Sequence, residues 1–147
     1  MKYLPILLLL LSGCMSQDKI DRIVLTCPDH VQKNVGTIRY MPFSWGTLMG
    51  MSGVCDKNTG EIWLTAWAGE HTLLHEIGHS VHFRTPHARF DEVFKEKRGF
   101  VSLWALNHNE SVAEAFYEGM RGRSNPKIDC AMKFMNGEKL CKVQMDQ

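Results

Sequence analysis

An α+β fold is predicted by the order in which sequence patterns follow one another. Short runs of β-branched and aromatic residues, bounded by glycine, proline and a strong turn, come first. After Gly69 the apolar residues recur instead at spacings of three and four, the helical period. Strand-like segments thus precede helix-like ones rather than alternating with them, which separates α+β from a parallel α/β arrangement. With 147 residues, one domain is the default expectation.

The first 13 residues are expected to lie outside that domain. Lys2 gives a basic start, residues 4–11 are apolar and broken only by Pro5, and Leu11, Ser12 and Gly13 lead to Cys14. This is the layout of a secretory signal peptide. The apolar run is too short to span a bilayer, which takes about 20 residues. The residues before Cys14 resemble the lipobox of bacterial lipoproteins. That resemblance implies cleavage before Cys14 and a diacylglycerol on its thiol, with a plain cleaved signal as the alternative. Two or more acyl chains anchor stably where one does so marginally. Met15 and Ser16 follow without an aspartate, a pattern that in Gram-negative lipoproteins goes with the outer membrane. The expected location is therefore the bacterial cell envelope, with the chain membrane-anchored through lipid and facing the periplasm or the surface.

Residues 16–22 are mostly polar and 14–22 read as a tether, so the domain is expected over 23–147. Ile23, Val24 and Leu25 suit a short strand closed by Pro28. Residues 35–41 suit a second, ended by Pro42. In the methionine-rich stretch 43–54, Gly46, Gly50 and Gly53 predict turns or bulges. The turn Asp56-Lys57-Asn58-Thr59-Gly60 leads into Ile62, Trp63, Leu64 and Thr65, so residues 54–65 read as a hairpin. Leu73, Leu74, Ile77 and Val81 then mark a helix, stopped at 84 or 85 because Pro86 disfavours helical backbone before it. Phe90, Val93 and Phe94 mark a second helix over about 87–97, closed by Gly99. Asn107 or Asn109 can cap a third over about 109–121, with Gly122 as terminator. A short last helix is expected over 127–135.

The formal net charge is +1, from 17 basic and 16 acidic residues. This balance supplies no electrostatic case for binding nucleic acid. Of five cysteines, Cys14 apart, an even number remains: Cys27, Cys55, Cys130 and Cys141. In an oxidising compartment that predicts two disulfides with three possible pairings. The local one, Cys27–Cys55 with Cys130–Cys141, is preferred. A four-cysteine zinc site is the alternative, but it lacks the close Cys-x-x-Cys spacing.

The residues that carry chemistry are His75-Glu76-Ile77-Gly78-His79. On a helix, positions i and i+4 share a face, so two imidazoles there can grip one zinc ion at about 2.0–2.1 Å. Glu76 sits one step round, placed to accept a proton from water without being a ligand. Zinc lowers the pKa of bound water toward 7. A metzincin would need histidine at 85 after glycine at 82. Here His82 and Thr85 occupy those positions, which excludes it. His82 is two turns, roughly 10 Å, from His75 and reads as a rim or exposed residue, as does His71. The better partner is the pair Glu110 and Glu114, also i and i+4. Two carboxylates on one face repel unless a cation or donor sits there. A metal on Glu110 and an imidazole N–H on Glu114 would satisfy both.

His-Glu-x-x-His followed by Glu-x-x-x-Glu on a second helix resembles the gluzincin metallopeptidases. The run Glu110-Ser111-Val112-Ala113-Glu114-Ala115-Phe116 is similar to the branch of anthrax lethal factor and the Pro-Pro endopeptidases. The resemblance covers residues 75–79 and 110–116. It implies a minimal zincin-like domain holding one Zn2+ through His75, His79 and Glu110, with Glu114 orienting a histidine ligand. It also implies hydrolysis of a peptide or protein substrate with Glu76 as general base. That branch carries an oxyanion-stabilising tyrosine seven residues before the glutamate ligand. Here Leu103 stands there, leaving His108 or Tyr117 as substitutes. The substrate is expected along the edge of the strand at 60–66, with Trp63 and Trp67 near the cleft. Two other readings remain open: a zinc-binding envelope lipoprotein with a scaffold or binding role, and a zinc hydrolase acting on cell-wall or other non-peptide amides.

Overall fold

The structure, a computed structural model, describes residues 15–139, so the expected signal segment, Cys14 and Cys141 fall outside the described residues. Within them, seven helices and a three-stranded sheet form a mixed α+β fold. No helix among the described residues is long and apolar enough to cross a membrane.

The first difference from expectation comes at once. Residues 17–22, read as tether, and Ile23 to Leu25, read as a strand, form a single helix, α1 (Gln17–Thr26). Ser16 caps it, its Oγ accepting from the Lys19 N–H at 3.3 Å, and Asp18 sits in the first turn. Ile20, Ile23, Val24 and Cys27 recur at helical spacing and pack on the core, Ile20 fully buried. The β-branched preference of Ile23 and Val24 is a fraction of a kcal/mol per residue, whereas burying one large apolar side chain contributes roughly 1.5–3 kcal/mol. A short α2 (Asp29–Asn34) follows and buries Val31.

β1 (Ile38–Tyr40) lies in the predicted second strand. Ser44 caps the single-turn α3 (Trp45–Leu48), and Gly50 leaves it at φ 73°, in the left-handed region that favours glycine. β2 (Gly53–Cys55) and β3 (Ile62–Leu64) form the predicted antiparallel hairpin, with Val54 opposite Trp63. Asp56 Oδ1 closes its turn by accepting from the N–H groups of Asn58 and Thr59. β1 pairs in parallel with β3, so the sheet order is β1-β3-β2 and β3 is central. The strand expected to offer an edge to substrate therefore has neighbours on both sides. Among the described residues, the open edge beside α4 belongs to β2.

α4 (Glu70–Arg84) matches its predicted limits and packs on β2, β3 and most extensively on α6 (His108–Met120). Its residues from Leu73 to His82 are buried on several faces, apart from half-buried His75. Ser80, fully buried, fastens it: its Oγ donates to the Gly60 carbonyl at 2.6 Å and accepts from the Gly36 N–H at 2.8 Å. Asn107 caps α6 by accepting from the Glu110 N–H at 3.1 Å. α5 (Ala88–Glu96) and α7 (Pro126–Met135) close the core, with Phe90 and Phe134 stacked at 4.2 Å.

The expected Cys27–Cys55 disulfide is not formed; both are free thiols. Cys27 ends α1 with Sγ toward the Ile23 carbonyl, while Cys55 is on β2 with Sγ toward the Asp56 carbonyl. Closeness along the chain does not set the direction of the Cβ vectors, which a disulfide requires. Burial pushes Cys27 up to about 11. Burial, then Glu76 and Asp56, push Cys55 up to about 12. Cys130 is buried on α7, and the pairing with Cys141 lies outside the described residues. No cysteine joins a metal-capable group among the described residues.

Candidate metal centre

His75 and His79 stand on one face of α4, opposite Glu110 in the first turn of α6. His75 Nε2 lies 3.0 Å from Glu110 Oε2, and His79 Nε2 lies 3.2 Å from Glu110 Oε1. The two Nε2 atoms are 3.1 Å apart. A tetrahedral ion with bonds of about 2.0–2.1 Å holds its donors about 3.3 Å from one another. The two imidazole nitrogens have nearly that spacing, each faces one oxygen of the Glu110 carboxylate at a similar distance, and one ligand atom from each of the three residues lies within 4.8 Å of the others, so this donor set fits a single zinc ion.

Proton placement supports the same conclusion. The other nitrogen of His75, Nδ1, lies 2.6 Å from Glu114 Oε1 and donates to it. A neutral imidazole with its proton on Nδ1 presents a lone pair at Nε2. Nε2 is thus the nitrogen turned toward Glu110 and His79, the one left for a metal. Burial, together with the neighbouring His75, lowers the pKa of His79 to about 4 despite Glu110, which keeps that ring neutral at physiological pH.

Glu114 does more than the sequence indicated. Buried at 1% exposure, its Oε1 also accepts from His71 Nε2 at 2.9 Å, and its Oε2 accepts from Ser102 Oγ at 2.7 Å. Burial raises its pKa, but the hydrogen bonds from Ser102, His71 and His75 outweigh this and hold the carboxyl below its usual range. Ser102 was missed: it lies in an irregular apolar segment with no periodic or motif signal. His71, expected at the rim, is half exposed and takes part in this network.

Glu76 borders two hollows that open on either side of His75, one toward β2 and Asn109, the other toward Trp104 and Leu106. Burial first, and the charge of Glu110 second, raise its pKa from 4.5 to about 7. A carboxyl near neutrality can both take and return a proton.

The two helices meet closely because Gly78 faces Ala113. A Cβ on Gly78 would sit 2.9 Å from Ala113 Cα and 3.3 Å from its carbonyl oxygen. These are backbone atoms, so α4 and α6 would have to separate. Gly78→Ala is expected to lower both the melting temperature and the zinc affinity. Its overpacking cost of roughly 1–3 kcal/mol exceeds the helix-propensity gain of up to ~1 kcal/mol. Thermal melts and a zinc titration would check this; a higher melting temperature with unchanged affinity would count against the close-approach account.

Several expected residues lie elsewhere. His82 is not a rim residue: it is 1% exposed, turned toward α5, with Nε2 2.8 Å from Asp91 Oδ1. Burial lowers its pKa, against the opposing pull of Asp91. His108 is also committed to Asp91, at 2.8 Å. The Tyr117 ring packs on His71 at 4.2 Å, and its hydroxyl accepts from Arg121 Nη1. Neither lines the hollows beside His75 and Glu76, so neither is placed as the oxyanion donor, and Leu103 is 83% exposed. Trp63 lines a separate apolar groove beyond β2, and the Trp67 indole donates to the Thr47 carbonyl; neither borders the His–Glu hollows.

No protein-family model, no curated protein and no solved structure matches this chain.

Proposed function

We propose that this chain is a zinc-dependent metallopeptidase of the gluzincin type, with a zincin-like fold, tied to the bacterial envelope through a lipidated Cys14. The observation that carries the reading is the convergence of His75 Nε2 and His79 Nε2, 3.1 Å apart, each facing one oxygen of the Glu110 carboxylate at 3.0 and 3.2 Å, with buried Glu76 beside them. The resemblance of residues 75–79 and 110–116 to the lethal factor and Pro-Pro endopeptidase branch agrees with that geometry. A zinc ion there would polarise a scissile carbonyl and make water more acidic. Glu76 takes the proton of the attacking water and returns it to the leaving amine. Glu114 holds the His75 ring in one tautomer and orientation.

The substrate would be an extended peptide pairing with the free edge of β2, since an unpaired edge offers a row of backbone donors and acceptors. Exposed Val54 on one side, and Trp104 and Leu106 on the other, favour apolar side chains near the scissile bond. Chelation should abolish hydrolysis of casein or unstructured peptides, and added zinc should restore it. A screen including peptidoglycan separates peptide bonds from cell-wall amides. If no substrate is cut in the zinc-loaded state, the scaffold reading takes over. One observation favours that alternative: neither His108 nor Tyr117 lines the hollows beside Glu76, and losing one oxyanion donor costs about 10²–10³ in rate.

A further inference from the structure

We propose a second divalent-metal site, for zinc or an ion of similar coordination chemistry, formed by His82, His87 and Asp91 where α4 meets α5. It does not depend on the His75–His79 site being catalytic. One ligating atom of each of the three residues lies within 4.8 Å of the others. His82 Nε2 is 2.8 Å from Asp91 Oδ1, and His87 Nε2 is 3.8 Å from Asp91 Oδ2. The His82 and His87 rings lie 4.5 Å apart.

One detail of the hydrogen bonding, at His87, points to an ion. His87 Nδ1 lies 2.9 Å from the Thr85 carbonyl, which can only accept, so Nδ1 carries the proton. With Nδ1 committed to that carbonyl, Nε2 is the nitrogen left to face Asp91 Oδ2, at 3.8 Å. This is the arrangement metal-bound histidines adopt, with one nitrogen on a carbonyl or carboxylate and the other free for the metal. His82, at 1% exposure, has a buried Nδ1 with no hydrogen-bond partner, so the contact at Nε2 is the one polar anchor of that ring among the described residues. Two imidazoles and a carboxylate form a donor set suited to zinc. His108, donating to Asp91 Oδ1 at 2.8 Å, orients the carboxylate.

The placement gives such an ion a purpose. His82 is in the last turn of α4, Asp91 is in the first turn of α5, and His108 is the first residue of α6. An ion here would fasten the end of the helix carrying His75 and His79 and, through Asp91 and His108, brace the turn that presents Glu110.

Equilibrium dialysis against zinc, with metal quantified per chain, tests the proposal. The wild-type chain should hold two ions and the His87→Ala chain one. His87 is partly exposed, so this substitution leaves the core intact. In a His75→Ala, His79→Ala background one ion should remain, and adding His87→Ala should weaken its binding at least tenfold. Cobalt substitution gives a second reading, since tetrahedral absorbance should persist in that background and vanish with His87→Ala. A zinc content unaffected by His87→Ala, or a wild-type content of one that His79→Ala removes entirely, would overturn the site.

Discussion

Glu76→Gln is expected to cut peptide hydrolysis by about 10²–10⁴-fold, the usual contribution of a positioned general acid–base group, while the zinc content stays unchanged. The amide is nearly isosteric with the carboxyl but cannot take a proton. Glu76 is not one of the converging donors, so its loss leaves those three in place. The comparison to make is kcat/KM alongside zinc per chain for both proteins. If hydrolysis survives at the parental rate, Glu76 is not the base; if zinc is lost with it, Glu76 belongs to the coordination set. The same variant has a signature in the metal-free protein. There Glu76 titrates near 7 rather than 4.5, so the folded state binds its proton more tightly than the unfolded chain does. Its contribution to stability is full below about pH 4.5 and is lost as the pH rises to about 7. Glu76→Gln should flatten that part of the stability profile, which denaturant melts across this range would read.

Glu110→Gln should weaken zinc binding far more than Glu114→Gln. An uncharged amide at 110 removes both the anionic ligand and the charge that balances the cation. Glu114 touches no ion in the proposed arrangement. Its loss leaves Ser102, His71 and His75 with a weaker acceptor and frees the His75 ring to turn. Partners of this kind typically account for about 10–100-fold in metal affinity. Competition titrations with a zinc indicator would rank the two variants. Equal losses, or the reverse order, would exchange the roles of the two carboxylates and undo the assignment of Glu110 as ligand.

Local patterns in the sequence determined the elements from Gly53 to Met135. The hairpin turn at Asp56, the stop before Pro86, the Asn107 cap and the periodic apolar residues each act within a few residues, so they are legible without a fold. The spacing of His75 with His79, and of Glu110 with Glu114, belongs to the same class, because a helix converts an interval of four into a shared face. The N-terminal helix was misread because Ile23, Val24 and Leu25 have a strand-like local preference. The burial of Ile20, which overrides it, exists only once α1 lies on the core. Other features are decided by packing at a distance along the chain. Gly78 against Ala113 sets how closely α4 and α6 approach, and so whether Glu110 reaches the two imidazoles. Ser102 finds Glu114, and Asp91 draws together His82 and His108, through tertiary contacts with no sequence period. Placing β3 in the middle of the sheet, which moves the open edge to β2, follows from its parallel pairing with β1. Such pairings depend on which apolar faces bury one another, and that is a property of the whole assembled chain rather than of any window within it.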